Sequence, residues 1–514
     1  MSIFTDHALT WLTFIPLLGV LINCVVTSSF TVRVITLVTT LVVMVYGLVL
    51  CVLFAGNKAA TLAYVEHYPW ISLVNANYFV GLDGINAIPV VLTLLLMPVV
   101  VLAAWRNPRA GRLFFSLLLI EQTALLGVFT ALNFYHWFVF YELTLVPVYF
   151  LIKYYGGTHR SDAAFKFFLY TLAGSVLLFV CYQLLHYYTG TLDFVTLGGH
   201  GIMDTIEGPL PGQDFERMVP SALAIFLFWG IFIGLAVKVP LYPLHSWLPD
   251  AYTQAPPEVV MLMTGVMSKI GIYALVRLLL PLFPELNAQF APLVAWLAAL
   301  SIIVSILVAL QKKEIREVFA YSSMNHVGFC VLAFACVMGG AAVSSSDKAF
   351  ALSGLFLQVF SHGITAACLF YFAGLLEERG NTVLISGFGG LRNVAPVMTG
   401  LFGVALFASI GLPGLSGFVS EFLIIRGTLP SYPWQTAVSC AGLIVTALVF
   451  LKLMERIFFG PVTPQSETIH DLTPMEKVTL IPLIFLMFAI GLFPQPLVYL
   501  AQGAIQLIEG GVGQ

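Results

Sequence analysis

Long apolar runs recur along nearly the whole chain, and they constrain its fold more than any other feature. A bilayer core about 30 Å thick needs roughly 20 apolar residues for each crossing helix. Lipid offers backbone groups no hydrogen-bond partners, so runs of this length must be helical. The sequence predicts an all-α integral membrane protein of about 14 transmembrane helices. They lie near residues 8–27, 34–55, 84–105, 113–133, 135–152, 166–188, 221–238, 256–280, 288–311, 318–340, 349–376, 394–425, 434–458 and 476–500.

The composition supports this prediction and excludes several other classes. Only 9% of the 514 residues are charged, whereas a soluble domain carries about 25%. The net charge of -3 gives no basic surface for nucleic acid. The seven cysteines form no Cys-x-x-Cys pair, which clustered metal or iron–sulfur ligands would require. We therefore expect no metal or cofactor site, no nucleic-acid partner and no soluble substrate.

Lysine and arginine are divided unequally between alternate loops. Loops after odd-numbered spans hold 15 of these residues and the loops on the other side hold 5. Lys238 and Lys269, inside spans, complete the total of 22. Short loops rich in Lys and Arg face the cytoplasm. The sequence therefore predicts that both termini lie on the non-cytoplasmic side.

The seventh and twelfth spans carry proline and glycine where a helix should be continuous. The seventh ends in Lys238-Val-Pro-Leu-Tyr-Pro, and the twelfth contains Gly411-Leu-Pro-Gly-Leu-Ser-Gly. Proline removes a backbone donor and clashes with the preceding turn. Matching breaks five spans apart indicate inverted repeats with a functional site at the breaks. The predicted division is 1–110 for spans 1–3, 111–282 for the first repeat (spans 4–8), 283–460 for the second (spans 9–13), and 461–514 for the C-terminal span.

Four charged residues fall inside these spans. Glu142 and Lys269 lie near the middle of the fifth and eighth spans, and Lys238 and Glu421 lie at the two breaks. A charge at the bilayer centre costs about 2.5–3.5 kcal/mol on insertion scales. One interpretation is a packing ion pair such as Glu142 with Lys238. A pair that only fixed packing could be replaced by apolar residues at little cost, so four such positions favour proton transfer.

Three histidines and one further acid extend this set. His245 follows the first break, His326 and His362 lie in the tenth and eleventh spans, and Glu121 lies inside the fourth. Each histidine alone fits a satisfied core residue, but together with buried charges they favour a proton relay. Burial disfavours the charged form of lysine and glutamate alike. A neighbouring charge can then decide where a proton stays. The role of Glu121 is secondary in this hypothesis.

The segment Lys238-Val-Pro-Leu-Tyr-Pro-Leu-His-Ser-Trp-Leu-Pro-Asp-Ala resembles the signature of the antiporter-like subunits of respiratory complex I (NADH:quinone oxidoreductase). The same signature occurs in multisubunit cation/proton antiporters and membrane-bound hydrogenases. The family has an essential Glu on span 5, a Lys on broken span 7, a Lys on span 8 and an ionisable residue on broken span 12. These positions match Glu142, Lys238, Lys269 and Glu421. The glutamate on span 12 and Phe388-Gly-Gly-Leu resemble the M chain (mitochondrial chain 4) type.

This resemblance implies a proton-translocating subunit of the bacterial inner membrane, driven by electron transfer elsewhere. Its partners would be other membrane-arm subunits and lipid. It would hold no cofactor itself, because NADH, FMN, iron–sulfur clusters and quinone would belong to partner subunits. Three alternatives stay open: a subunit of a Na⁺/H⁺ antiporter, a subunit of a hydrogenase or formate-linked complex, and a structural subunit whose buried pairs only hold the membrane arm together.

Overall fold

The computed structural model describes residues 6–56, 62–74, 76–194 and 219–511. Within these residues, 13 helices are long and apolar enough to cross a membrane. A fourteenth span consists of two shorter helices separated by a break, so the predicted multi-pass helical membrane fold is confirmed. The spans are α1 (Ala8–Val25), α2 (Ser29–Gly56), α3 (Ala87–Arg106), α4 (Arg112–Thr130), α5 (Phe134–Tyr155), α6 (Arg160–Thr189), α7a (Ser221–Lys238), α8 (Pro257–Leu279), α9 (Pro284–Ala309), α10 (Ile315–Met338), α11 (Ser345–Gly380), α12a (Pro396–Ile410) with α12b (Ser416–Thr428), α13 (Pro433–Phe458) and α14 (Pro474–Leu492).

Both predicted breaks are present in the structure. After Lys238 the seventh span leaves the helical path and resumes as α7b (Trp247–Gln254). The break in the twelfth span is made at Gly411 and Gly414, which adopt φ +83 and +92. These left-handed angles suit glycine because it lacks a Cβ. The breaks occupy the fourth helix of each five-helix unit, α4–α8 and α9–α13, and the odd helix number inverts the second unit.

Two elements of the structure were not predicted. Strands β1 (Leu62–Ile71) and β2 (Ala76–Asp83) form an antiparallel hairpin between α2 and α3. Glu66 on β1 is 2% exposed, and its carboxylate accepts hydrogen bonds from the Leu9 and Thr10 amides at the start of α1. A further helix, α15 (Gln495–Gly511), follows α14 and packs against α11.

Loop residues fix the starts of other helices. The Asp471 carboxylate accepts the Val397 and Met398 amides at the first turn of α12a, at 2.9 and 2.8 Å. Burial acts to raise the pKa of Asp471, but hydrogen bonds from the Val397, Leu472 and Met398 amides outweigh it and lower the pKa from its ordinary value. The helix dipole favours this negative charge at an N-terminus.

The polar spans lie in the middle of the bundle. The most apolar stretches of α8 and α11 are wholly buried and that of α10 is 94% buried, whereas those of α2 and α13 are only 33% buried. The outer helices therefore present apolar side chains to lipid. The inner ones carry the buried lysine and histidines into a protein interior, where partners can satisfy them.

Candidate functional site

Lys269 lies at the centre of the bundle on α8, where the helix is locally widened. The Ser268 amide bonds to the Met263 carbonyl five residues earlier, so Met263–Met267 is a π turn. Such turns interrupt an α-helix and are frequent at functional sites. The Thr264 carbonyl within this turn accepts a hydrogen bond from the Lys269 ammonium at 2.6 Å. Lys269 also donates to the Ser268 hydroxyl at 3.1 Å and is 2% exposed.

Besides Thr264 and Ser268, Lys269 contacts His362 on α11. The Lys269 Nζ and His362 Nδ1 lie 2.7 Å apart. The other ring nitrogen, His362 Nε2, lies 3.0 Å from the Ser323 hydroxyl of α10. That hydroxyl is 2.8 Å from the Thr264 hydroxyl, which closes a small hydrogen-bonded network among three helices.

His326 on α10 connects this network to the second helix break. Its ring centroid lies 5.5 Å from that of His362. His326 Nδ1 is 3.0 Å from the Glu421 carboxylate on α12b, and Nε2 is 2.9 Å from the Ser409 hydroxyl on α12a. The two halves of the broken span thus bind the two nitrogens of one ring. A Cβ at Gly411 would lie 2.8 Å from Glu421 Oε2, so the glycine also gives the carboxylate its space.

Lys238 ends α7a and is 2% exposed. Its ammonium donates to the Thr144 hydroxyl at 2.9 Å and the Tyr141 carbonyl at 3.3 Å. It also lies 3.8 Å from the Tyr141 ring centroid, where the ring face attracts a cation. Glu142 interacts electrostatically with Lys238 and lies beside Ser175, but its Oε1 accepts no hydrogen bond from the described residues. Neutral oxygens therefore hold Lys238, and the packing ion pair with Glu142 is not formed.

A small cavity joins the Lys238 region to α8. Lys238, Trp247, Tyr252 and Ser268 contribute to its lining. Ser268 is itself the hydroxyl to which Lys269 donates. The cavity therefore lies between Lys238 and Ser268, the residue next to Lys269, and most of its lining is apolar.

Lys238, Lys269, His362, His326 and Glu421, in this order, are named the polar axis below. Every one of them was singled out from the sequence. The structure places Lys269, His362, His326 and Glu421 next to one another in this order, and Lys238 lines the cavity beside Ser268. His245 lies apart from the polar axis. Its ring packs against Tyr242 and Tyr321, with centroids 5.6 and 6.1 Å away. Glu121 is fully buried on α4 and interacts electrostatically with Lys238.

Sequence reasoning missed the hydroxyls that form hydrogen bonds with members of the polar axis. Ser323 lies three residues before His326, and residues at this spacing share a helix face. The spacing from His326 could therefore have identified Ser323 from the sequence. The sequence does not indicate Ser409 or Thr144 in this way, because each forms its hydrogen bond with a residue on a different helix.

A bundle with two inverted five-helix units, each broken at its fourth helix beside a buried ionisable residue, defines an antiporter-like membrane subunit. The family model described as "NADH:quinone oxidoreductase/Mrp antiporter, TM" matches residues 131–448. The chain belongs to this family.

Relatives and solved structures agree with this assignment. NADH-quinone oxidoreductase subunit M of Rickettsia bellii is 34% identical, over 84% of this chain and 83% of that one. The subunit M of Rhodobacter capsulatus is 34% identical, over 87% and 85%. A chain of respiratory complex I from Thermus thermophilus with bound NADH superimposes with a TM-score of 0.83 at 26% identity, covering 98% of this chain and 99% of that chain. A chain of the Mrp complex from Dietzia (TM-score 0.79, 19% identity, 98% and 100% covered) shares the fold.

Proposed function

We propose that the chain is the proton-translocating M-type subunit of an NADH:quinone oxidoreductase. The observation that carries this proposal is the polar axis, a series of ionisable side chains that follow one another through an otherwise apolar core, with a small, mainly apolar cavity between its two lysines. Relatives named as subunit M support the choice of complex over an antiporter or a hydrogenase-type complex. Buried charges that only held helices together would form close ion pairs, whereas Lys238 and Lys269 are held by neutral groups.

The residue types of the polar axis suit proton movement in small steps. Lys269 as an ammonium can pass a proton to the neutral His362 nitrogen 2.7 Å away, leaving an amine and an imidazolium. His326 can pass a proton to Glu421 across 3.0 Å. We assign Lys269 and the histidines to uptake, Lys238 with Glu142 to gating and Glu421 to release. His245 is assigned to the cytoplasmic approach, because Tyr321 beside it also faces Lys312 of a loop expected on that side.

The driving energy comes from outside this chain. Moving one charge against the membrane potential costs about 2.3 kcal/mol per 100 mV. NADH, FMN, iron–sulfur clusters and quinone are assigned to partner subunits, and neighbouring antiporter-like chains of the membrane arm are its contacts. The unequal distribution of Lys and Arg supports a bacterial inner membrane location with both termini on the non-cytoplasmic side.

The test is proton pumping by the assembled complex in Na⁺-free vesicles, with a pH-sensitive dye and NADH as the electron donor. Lys238→Met removes the ammonium and keeps an apolar stem, so the complex should assemble but pump little. Lys452→Met is the matched control, because Lys452 is exposed at the end of α13. Pumping by Lys238→Met at the rate of Lys452→Met would refute the proposal. Pumping that required Na⁺ would instead favour an antiporter.

A further inference from the structure

Glu121 differs from the other buried acids of this chain. It is 0% exposed, and neither of its carboxyl oxygens has a hydrogen-bond partner among the described residues. By contrast, Glu66 accepts two backbone amides at the start of α1. Glu476 accepts the Arg379 guanidinium at both oxygens and the Thr473 amide. Those two acids fix the structure, whereas Glu121 fixes none of its neighbours.

A carboxylate removed from water without donors does not remain charged. The Glu121 side chain therefore holds a proton in this conformation. It does so on α4, which packs directly against the helix of Tyr141 and Glu142. No hydrogen bond among the described residues depends on the Glu121 carboxyl, so it is available to exchange its proton.

Lys238 is the cation that acts on Glu121. It interacts electrostatically with Glu142 and with Glu121, and its hydrogen bonds go to Thr144 and to the Tyr141 carbonyl. In this structure the lysine is therefore bound to neither carboxyl, although both lie within electrostatic range. Lys238 therefore has two carboxyl groups with which it can exchange a proton.

We propose that Glu121 is a second proton-carrying carboxyl of the first repeat, which exchanges a proton with Lys238 in alternation with Glu142. After Lys238 has given its proton to Glu142, the protonated Glu121 passes its proton to the Lys238 amine. The products are a Glu121 carboxylate and a Lys238 ammonium, and the reverse step returns the proton to Glu121. This inference rests on the proposed function, because it assigns a further residue to the same proton path.

The experiment uses Glu121→Gln in the assembled complex, reconstituted in vesicles. Glutamine keeps the size and polarity of the side chain and removes the exchangeable carboxyl proton. We expect normal assembly, a severalfold lower proton yield per NADH, and partial recovery in Glu121→Asp. The matched control is Gln122→Met, because Gln122 is equally buried but points about 100° around the helix from Glu121. Its proton yield should match that of the unmodified complex.

An infrared measurement keeps the test independent of how well the variants assemble. The carbonyl-stretch band of a protonated carboxylic acid should change in the unmodified complex when NADH is added, and this change should be absent in Glu121→Gln or altered in Lys238→Met. An unmodified proton yield in Glu121→Gln, or an unaltered band change in both variants, overturns the inference. Loss of pumping in Lys238→Met with normal pumping in Glu121→Gln refutes this inference alone, and normal pumping in Lys238→Met refutes the proposed function.

Discussion

Gly411→Ala is expected to separate Glu421 from His326 and to uncouple pumping without unfolding the chain. The new Cβ would lie 2.8 Å from Glu421 Oε2, and ordinary contact begins at 3.4 Å, so the carboxylate must retreat by about 0.6 Å. Such a shift can lengthen the 3.0 Å contact between His326 and Glu421 to as much as about 3.6 Å, beyond the 3.2 Å limit of an ordinary hydrogen bond. The side-chain end is flexible, so relieving this clash costs little stability.

Gly414→Ala is the matched control for this prediction. Gly414 has the same left-handed backbone, φ +92 against +83, but a Cβ there meets nothing within 4 Å. Both variants should lose about 1–2 kcal/mol from the left-handed conformation, and thermal unfolding in detergent measures that loss. Proton pumping in vesicles should fall only in Gly411→Ala. Equal pumping by the two variants would refute the role given to the Glu421 carboxylate.

Three further predictions test other parts of the structure. His362→Leu removes the link between Lys269 and Ser323, so pumping should fall while the complex still purifies intact. Asp471→Ala should cost up to about 1 kcal/mol as a lost helix cap. Because the folded-state pKa is lowered, this cost is present above the ordinary pKa and disappears as the pH falls through the folded-state value, which unfolding at several pH values measures. Arg277 donates to both oxygens of buried Asp83, so Arg277→Met should destabilise by about 3–5 kcal/mol in thermal unfolding, and adding Asp83→Leu should recover much of it.

The spans could be predicted because membrane helices are specified by local composition. Each predicted apolar run contains a helix, since no other backbone arrangement satisfies itself in lipid. The hairpin of β1 and β2 could not be predicted in this way. Its residues 62–83 have no long apolar run, and its register depends on contacts such as that of Glu66 with the start of α1.

The residues of the polar axis could be predicted for a related reason. A charged or imidazole side chain within an apolar run is easy to recognise in a sequence. The free energy of burying it in the membrane is unfavourable, so such a residue usually has a binding partner or a function. Its partners do not stand out. Proximity in sequence grouped His245 with Lys238, but the break turns its ring towards Tyr321. The hydroxyls of Ser409 and Thr144 are ordinary in membrane helices, and only the tertiary arrangement gives them a place beside His326 and Lys238.

The step from His362 to His326 divides the polar axis into two halves. Both nitrogens of His362 are engaged, by Lys269 and Ser323, and both nitrogens of His326 are engaged, by Glu421 and Ser409. Neither ring can therefore give the other a proton unless it first releases a partner. Each half can hold and shift a proton locally, but transfer between them requires one ring to turn. A conformational change imposed by neighbouring subunits would act at this step. Turning a histidine ring breaks hydrogen bonds, whereas proton movement within either half breaks none.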